Sequence, residues 1–366
     1  MEEHFRGQLN DNQIYLGLDV SDLSIFENYK KASAPEKGFY TDFSGVRTRL
    51  SYFGVDSHPA EAQAASIPFP DDALHAETIE YLAALTAVES AVTTFTAVEL
   101  GAGYGPWIVF SAKAAQQRGL GPIKLKAVEA DLQRHELMRS NLKDNGLPVP
   151  DANAQIAEGE ISVSLVHGAI SDKNGTLSFG SQSLLDWGAS PIEGGGSIDY
   201  RGMKVETDIV NAYTIESVLS DLEIVDFMHM DIQGFEYKAI RASLDSLQRK
   251  VRVLLVATHS RQLEGEIIGL LHDHGWRLQY EKPCKFTPDF GKELTALTYL
   301  DGTQVWINTA FGQPAWDRGP DEAVVNETLR LENQKQAHEL LALKNSTSWK
   351  VTEPLRWVKT IISGGR

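Results

Sequence analysis

Thr93 to Trp107 reads TTFTAVELGAGYGPW, and its inner run Val98-Glu99-Leu100-Gly101-Ala102-Gly103-Tyr104-Gly105 decides the fold. The apolar stretch Phe95 to Leu100 predicts a buried strand. Three glycines then mark a turn, and Pro106 follows the last of them. Proline loses no hydrogen bond at the first helical position, so PWIVFSAKAAQQRG predicts a helix, ended by Gly119. Glycines at a strand's carboxyl end let a ligand come close to the backbone. The helix that follows offers free N–H groups and the positive end of its dipole.

Outward from this turn the alternation continues. IKLKAVEAD predicts a second strand ending at Glu129, and DLQRHELMRSNLKDNG a helix stopped by Gly146. ISVSLVHGAIS predicts a third strand, closed by Ala169 and Ile170. VDFMHMDIQGFE is a strand running into the helix FEYKAIRASLDSL, and VRVLLVATH is a strand apolar enough for a sheet centre. EGEIIGLLHDHG predicts a helix before Gly275; WRLQYEK and ALTYLDGTQVWIN predict two late strands. Upstream, PFPDDALHAETIEYLAALTAVESA predicts a helix capped by Asp71 or Asp72. Residues 1–70 show no sustained period and predict irregular structure with short strands. Strand–helix alternation of this kind predicts an α/β, Rossmann-like, doubly wound sheet.

Composition narrows the function classes. The chain has 366 residues, 42% hydrophobic, enough for a sizeable core. Fifty acidic residues against 34 basic leave a net charge of −16, which disfavours a nucleic-acid backbone as partner. The single cysteine, Cys284, excludes an internal disulfide and a Cys-rich zinc site. A polar start and the lack of a long apolar run point to the cytoplasm.

Glu129, at the end of the second strand, is placed to accept both hydroxyls of a ribose. The turn is G-x-G-x-G rather than the dinucleotide G-x-G-x-x-G, and nothing basic stands in it to meet a pyrophosphate. Glu99 stands just before it, where a carboxylate can hold an ammonium. These features favour S-adenosylmethionine over a nicotinamide dehydrogenase or epimerase; a non-catalytic cofactor-binding recruitment module is the third reading. Asp231 ends the central strand and is the first candidate to orient or deprotonate an acceptor hydroxyl. His259 ends the next strand and is the second candidate base. Glu236 sits in the first turn of a helix; between it and Asp231 a divalent metal is left open. His272 and His274, two apart, point to different faces and read as helix-end residues. Arg47, Arg49, His75 and Glu77 are within reach of an acceptor in one reading and a solvated face in the favoured one; Trp187 covers the cofactor or acceptor pocket in one reading and is a packing anchor in the favoured one.

VELGAGYG, AVEAD, VHGAISDKNGTLSFG and VDFMHMDIQGFE, in that order, resemble the FkbM-type S-adenosylmethionine-dependent methyltransferases. The resemblance spans roughly Thr94 to Asn308, and Asp231 followed by Gly234 and Glu236 is its most specific part. It implies a seven-stranded sheet with the last strand antiparallel, and methyl transfer to a hydroxyl of a sugar or secondary metabolite. It implies a cofactor site of Glu99, Gly101, Gly103, Tyr104, Gly105, Glu129, Ala169 and Ile170, the last two against adenine. Gln233 stands where an acidic residue is common, and Ala257-Thr258-His259 replaces a Glu-x-His ending.

The expected organisation is an N-terminal extension over 1–92, the methyltransferase domain over 93–312, a linker and polar helix over 313–345, and an amphipathic tail over 346–366. NSTSWKVTEPLRWVK in that tail resembles a tail found on some bacterial glycan-assembly enzymes. It suggests a surface-polysaccharide context, with a glycan or small-molecule acceptor. Its aromatic and basic residues suggest peripheral attachment to a partner or to the inner face of a membrane.

Overall fold

The glycine-punctuated segment folds as read. In this computed structural model, which describes residues 15–312 apart from 35, 56–66, 73, 182–189, 193–203 and 288–296, α1 (Thr78–Ser90) leads into β1 (Phe95–Leu100). Then come α2 (Pro106–Gln117), β2 (Ile123–Glu129), α3 (Leu132–Asp144), β3 (Ala154–Glu158) and β4 (Ile161–His167). The second half supplies α4 (Ile215–Val218), β5 (Val225–Met230), α5 (Glu236–Ala242), α6 (Leu244–Lys250), β6 (Val251–Thr258), α7 (Arg261–Asp273), β7 (Trp276–Lys282) and β8 (Gly302–Asn308).

The strands make one eight-stranded sheet in the order β7-β8-β6-β5-β1-β2-β4-β3. Neighbours from β6 through β5, β1 and β2 to β4 are parallel, and β8 is antiparallel to both β6 and β7. The chain turns outward in both directions from β1, so the switch point lies between β1 and β5, where open α/β sheets bind ligands. Their registers align: Glu99 faces His229 and Leu100 faces Met230 across the two strands. The carboxyl ends of β1, β2 and β5 therefore finish together.

Helix starts and stops follow local chemistry. Pro106 is the first residue of α2, Asp131 caps α3 through the N–H groups of Gln133 and Arg134, and Ser260 caps α7. Gly119, Gly146 and Gly275 follow their helices with positive φ, as C-terminal stops require. Helix α1 is buried on nearly every side, and Ile79, Leu82, Leu85 and Val88 are inaccessible to solvent. Burial of each such side chain stabilises by ~1.5–3 kcal/mol.

Four expectations are corrected. The sheet has eight strands rather than seven, because β3 pairs antiparallel along the outer edge of β4. It is half-exposed and paired on one side only, so it carries no apolar run. Ala169–Ile170 does not close β4. The chain bends at Gly168, where a Cβ would stand 2.8 Å from Asn211 O, and the two residues pair with Ala212 and Tyr213 in a second, four-stranded sheet. ALTYLDGTQVWIN is two strands in different sheets: Thr298–Leu300 pairs with Lys285–Phe286, and Gly302–Asn308 is β8. Helix α1 is capped by Glu77 through a reciprocal box with Glu80, not by Asp71 or Asp72.

The segment before α1 does hold the expected short elements, a 3-10 helix at Val20–Asn28 and a hairpin of Phe39–Thr41 with Arg47–Arg49. Its arginines are partly exposed, as read, and they are also paired. Arg49 grips the Asp144 carboxylate through Nε and Nη2 at 2.6 and 2.9 Å, and the Arg47 amide donates to Asn145. No helix among the described residues is long and apolar enough to cross a membrane. Trp187 and residues 313–366 lie outside the described residues.

Candidate active site

The glycine turn sits on the sheet's carboxyl edge because three backbone bonds hold it there. Gly101 and Ala102 N–H donate to Val128 O at 2.9 and 3.0 Å, and Asp231 N–H donates to Leu100 O at 2.9 Å. Gly101, Gly103 and Gly105 all have positive φ, between 55 and 71°. A cavity of about 330 Å³ opens over this edge. Its lining includes Glu99, Gly101, Gly103, Tyr104, Glu129, Ala169, Ile170 and Asp231. Gly105 lies one residue beyond, at the α2 N-cap, where a Cβ would press on Met138 Cγ at 2.8 Å.

The two strand-end glutamates are used differently from what their positions suggest. Glu99 accepts from the α2 amides of Trp107 and Ile108 at 3.3 and 2.9 Å, so its carboxylate closes the helix N-terminus. Burial pushes it up to about 7, against the charge of His229 and those two amides. This leaves Glu99 poorly placed as a dedicated ammonium holder. Glu129 accepts from Gly103 N–H at 2.7 Å and Asp131 N–H at 2.8 Å, one on each oxygen. Each oxygen keeps a second lone pair. Burial also raises Glu129, and the Arg134 guanidinium opposes that rise.

Asp231, His259 and Glu236 converge as a chain. His259 Nε2 lies 3.3 Å from Asp231 Oδ1, and Nδ1 lies 3.1 Å from Glu236 Oε1. Glu236 is inaccessible to solvent, and it also accepts from the amides of Ile232 and Gly234 near 3.1 Å. Burial disfavours a charged His259, but the carboxylates of Glu236 and Asp231 outweigh it and hold the imidazolium well above the usual range. Asp231 moves the other way. Burial would raise it, and the contact with His259 lowers it overall. Gln233, with φ of 54°, turns the chain back so that its amide donates to Asp231 Oδ1 at 2.7 Å. His259 is thus engaged on both nitrogens and is not the neutral base its position suggested.

The ligand atoms of Asp231, Glu236 and His259 lie within 4.8 Å of one another. An imidazolium shared between two carboxylates satisfies all three. A divalent ion would have to displace that proton and draw Glu236 from its two amides, and it would still lack oxygen ligands. The trio does not fit a resident metal.

A second cleft of about 480 Å³ adjoins the first, and Leu74, His75, Glu80 and Asp231 line both. His259, Glu77 and Lys282 line the second alone. Three of these shared residues were missed as site residues or read as solvated. His75 and Glu80 precede or open α1, far from the strand ends in sequence, and only packing brings them here. His229 was also missed, although its spacing of two from Asp231 puts it on the same face of β5. It stacks on Trp107 with centroids 5.6 Å apart and lies 3.9 Å from Glu80. His272 and His274 are at the end of α7 as read, and His274 Nδ1 bonds Leu270 O at 2.7 Å.

Comparison with known proteins adds the family. Residues 99–278 match the methyltransferase FkbM domain. A protein of Jannaschia sp. (strain CCS1) named as a methyltransferase is 30% identical over 299 residues, 80% of this chain and 99% of that protein. Among solved structures, the C-terminal domain of precorrin-6Y C5,15-methyltransferase from Rhodobacter capsulatus is similar at 12% identity, over 64% of this chain and 89% of that chain, with a TM-score of 0.33. An rRNA methylase from Streptococcus thermophilus is similar at 8% identity, over 62% of this chain and 93% of that chain, with a TM-score of 0.32. With the domain match running from the end of β1 to the start of β7 and the relative aligned over almost its whole length, the chain belongs to the FkbM-type methyltransferase family.

Proposed function

We propose that the protein is an S-adenosylmethionine-dependent O-methyltransferase acting on a hydroxyl of a sugar. The observation that carries this reading is the cavity at the joined ends of β1, β2 and β5, which both Glu129 and Asp231 line. The donor set fits the cofactor. Glu129 has free lone pairs for ribose hydroxyls, Ala169 and Ile170 give a small apolar wall for a purine, and the glycine turn permits close approach. Bound there, S-adenosylmethionine supplies a methyl group already activated as a sulfonium. The chain's own residues then have to seat the acceptor, exclude water and take one proton.

The second cleft is the acceptor's place in this reading. Asp71, Glu77, Glu80, Asp231 and Asp301 line it, and Lys282 is paired with Glu77. A neutral polyhydroxyl acceptor suits such a wall better than a phosphate or a carboxylate. The tail from residue 346 is proposed as an attachment element, so that its deletion lowers sedimentation with membranes or a partner and leaves cofactor affinity unchanged.

Calorimetry with S-adenosylhomocysteine, S-adenosylmethionine and NAD(P), followed by labelled-methyl transfer to extracted cell-surface glycans, tests the reading. Tight S-adenosylhomocysteine binding and labelled ether product are expected. Binding of NAD(P) in preference would replace it with the dehydrogenase reading, and binding without transfer to any acceptor with that of a recruitment module.

A further inference from the structure

His75 stands where the two cavities meet, and the residues around it make it a dyad. Its Nδ1 lies 2.7 Å from Asp72 Oδ2, with the side chains 9% and 1% exposed. Asp72 cannot swing. Its Oδ1 accepts the amides of Leu74, His75 and Ala76 at 2.9, 2.8 and 3.0 Å, and its Oδ2 accepts the Tyr81 hydroxyl at 3.0 Å. The His75 ring is walled by the rings of Tyr40, Phe53 and Tyr104, with centroids 5.4 to 6.3 Å away. With Nδ1 on Asp72, Nε2 is the nitrogen left for the junction, and among the described residues none hydrogen-bonds to it. His259, by contrast, has a carboxylate on each nitrogen.

We propose that Asp72 and His75 form the proton-accepting dyad of this enzyme, with His75 Nε2 facing the acceptor hydroxyl. The inference rests on the methyltransferase reading above and gives that site its base. As the acceptor oxygen bonds to the methyl carbon, its O–H proton passes to His75 Nε2. The carbon–sulfur bond breaks with its electron pair on sulfur, leaving a neutral thioether and a methyl ether. The imidazolium formed is stabilised by the Asp72 carboxylate, 2.7 Å from Nδ1. A structural clip would need only the Asp72 contact; it would not require the residue to line both cavities.

The charged groups that act most on His75 are Asp72 on its own loop, Asp42 after the first hairpin strand and Glu80 on α1, and Asp71, Glu77, Asp231, His259, Lys282 and Asp301 share the second cleft with it. The hydroxyl-bearing rings of Tyr40, Tyr81 and Tyr104 complete its surroundings. Burial disfavours the imidazolium, and the carboxylates, Asp72 foremost, outweigh it and raise His75. The rate therefore rises with pH through a value above that of an ordinary histidine. Removing the Asp72 charge moves that limb to lower pH.

The test uses the full chain as wild type, His75→Asn, His75→Ala and Asp72→Asn. Asparagine keeps a donor toward Asp72 while removing the base, so folding is guarded. First, diethyl pyrocarbonate labelling of the wild type, read by mass spectrometry at mildly alkaline pH, should modify His75 and spare His259. Second, S-adenosylhomocysteine affinity should be unchanged in both His75 variants. Third, methyl transfer should fall on the order of 100-fold in both, with KM little changed. Added imidazole should restore the alanine variant, and Asp72→Asn should shift the pH profile downward. An unlabelled His75, wild-type turnover in either variant, or a loss that imidazole does not restore would each overturn the dyad. If the wild type fails to bind S-adenosylhomocysteine, the cofactor reading falls instead, and the labelling still decides whether Nε2 faces the cavity.

Discussion

Gly101 and Asp231 meet backbone to backbone: a Cβ on Gly101 would fall on the Asp231 carbonyl oxygen and stand 2.8 Å from the carbonyl carbon. The glycine that looked like a cofactor requirement is thus first a requirement of the sheet. It lets the ends of β1 and β5 close together, and that closure places Asp231 beside the cavity. Gly101→Ala should cost ~1–2 kcal/mol from its left-handed backbone alone, with the displacement of Asp231 added. Thermal unfolding and S-adenosylhomocysteine calorimetry should both report a loss. An alanine variant with wild-type melting and affinity would show that the contact is not needed.

Glu129 offers the cleaner test of the cofactor. Glu129→Ala removes a carboxylate with two free lone pairs toward the cavity, and charge-assisted bonds of this kind contribute ~1.5–3 kcal/mol. Affinity for S-adenosylhomocysteine should fall by about tenfold or more. Because the amides of Gly103 and Asp131 lose their acceptor, the melting temperature should fall as well. Unchanged affinity in a folded variant would move the ribose elsewhere.

Asp231→Asn keeps shape and removes the charge nearest the junction. The rate should fall far more than cofactor affinity, since the lost interaction belongs to the transition state. His259 loses one of its two carboxylates, so its imidazolium should titrate at lower pH, a shift that histidine-labelled NMR can follow. A His259 titration that stays in place would dissolve the chain from Asp231 to Glu236.

Glu99 gives stability a pH dependence with a definite sign. Its folded value of about 7 lies above the model-peptide value of 4.5. Its contribution is fully retained below the unfolded value and is lost as pH rises through the folded one. Glu99→Gln lacks that loss and keeps one acceptor for the α2 amides. Urea unfolding should therefore show the variant gaining on the wild type between pH 4.5 and 7 and holding its advantage above. A difference that stays flat across that window would mean that folding does not raise Glu99 above its unfolded value.

The sequence by itself determined the α/β alternation, the strand–glycine–helix turn and the strand ends at Glu129 and Asp231. Each rests on short-range physics: apolar runs, proline at a first helical turn, glycine where φ is positive. Local pattern also located the helix stops at Gly119, Gly146 and Gly275. What the side chains do there was decided by the tertiary structure. Glu99 lines the cavity, yet both its oxygens are taken up by the amides of α2. Ala169 and Ile170 left β4 at Gly168 to join another sheet, and no periodicity marks that bend. His259 became a charged link because Glu236 and Asp231 arrive from a different strand and helix. His75 and Glu80 reached the site from the chain before β1, through the packing of α1 on the sheet. Such meetings depend on which distant groups burial forces into one low-dielectric space, and spacing along a single chain does not encode that directly.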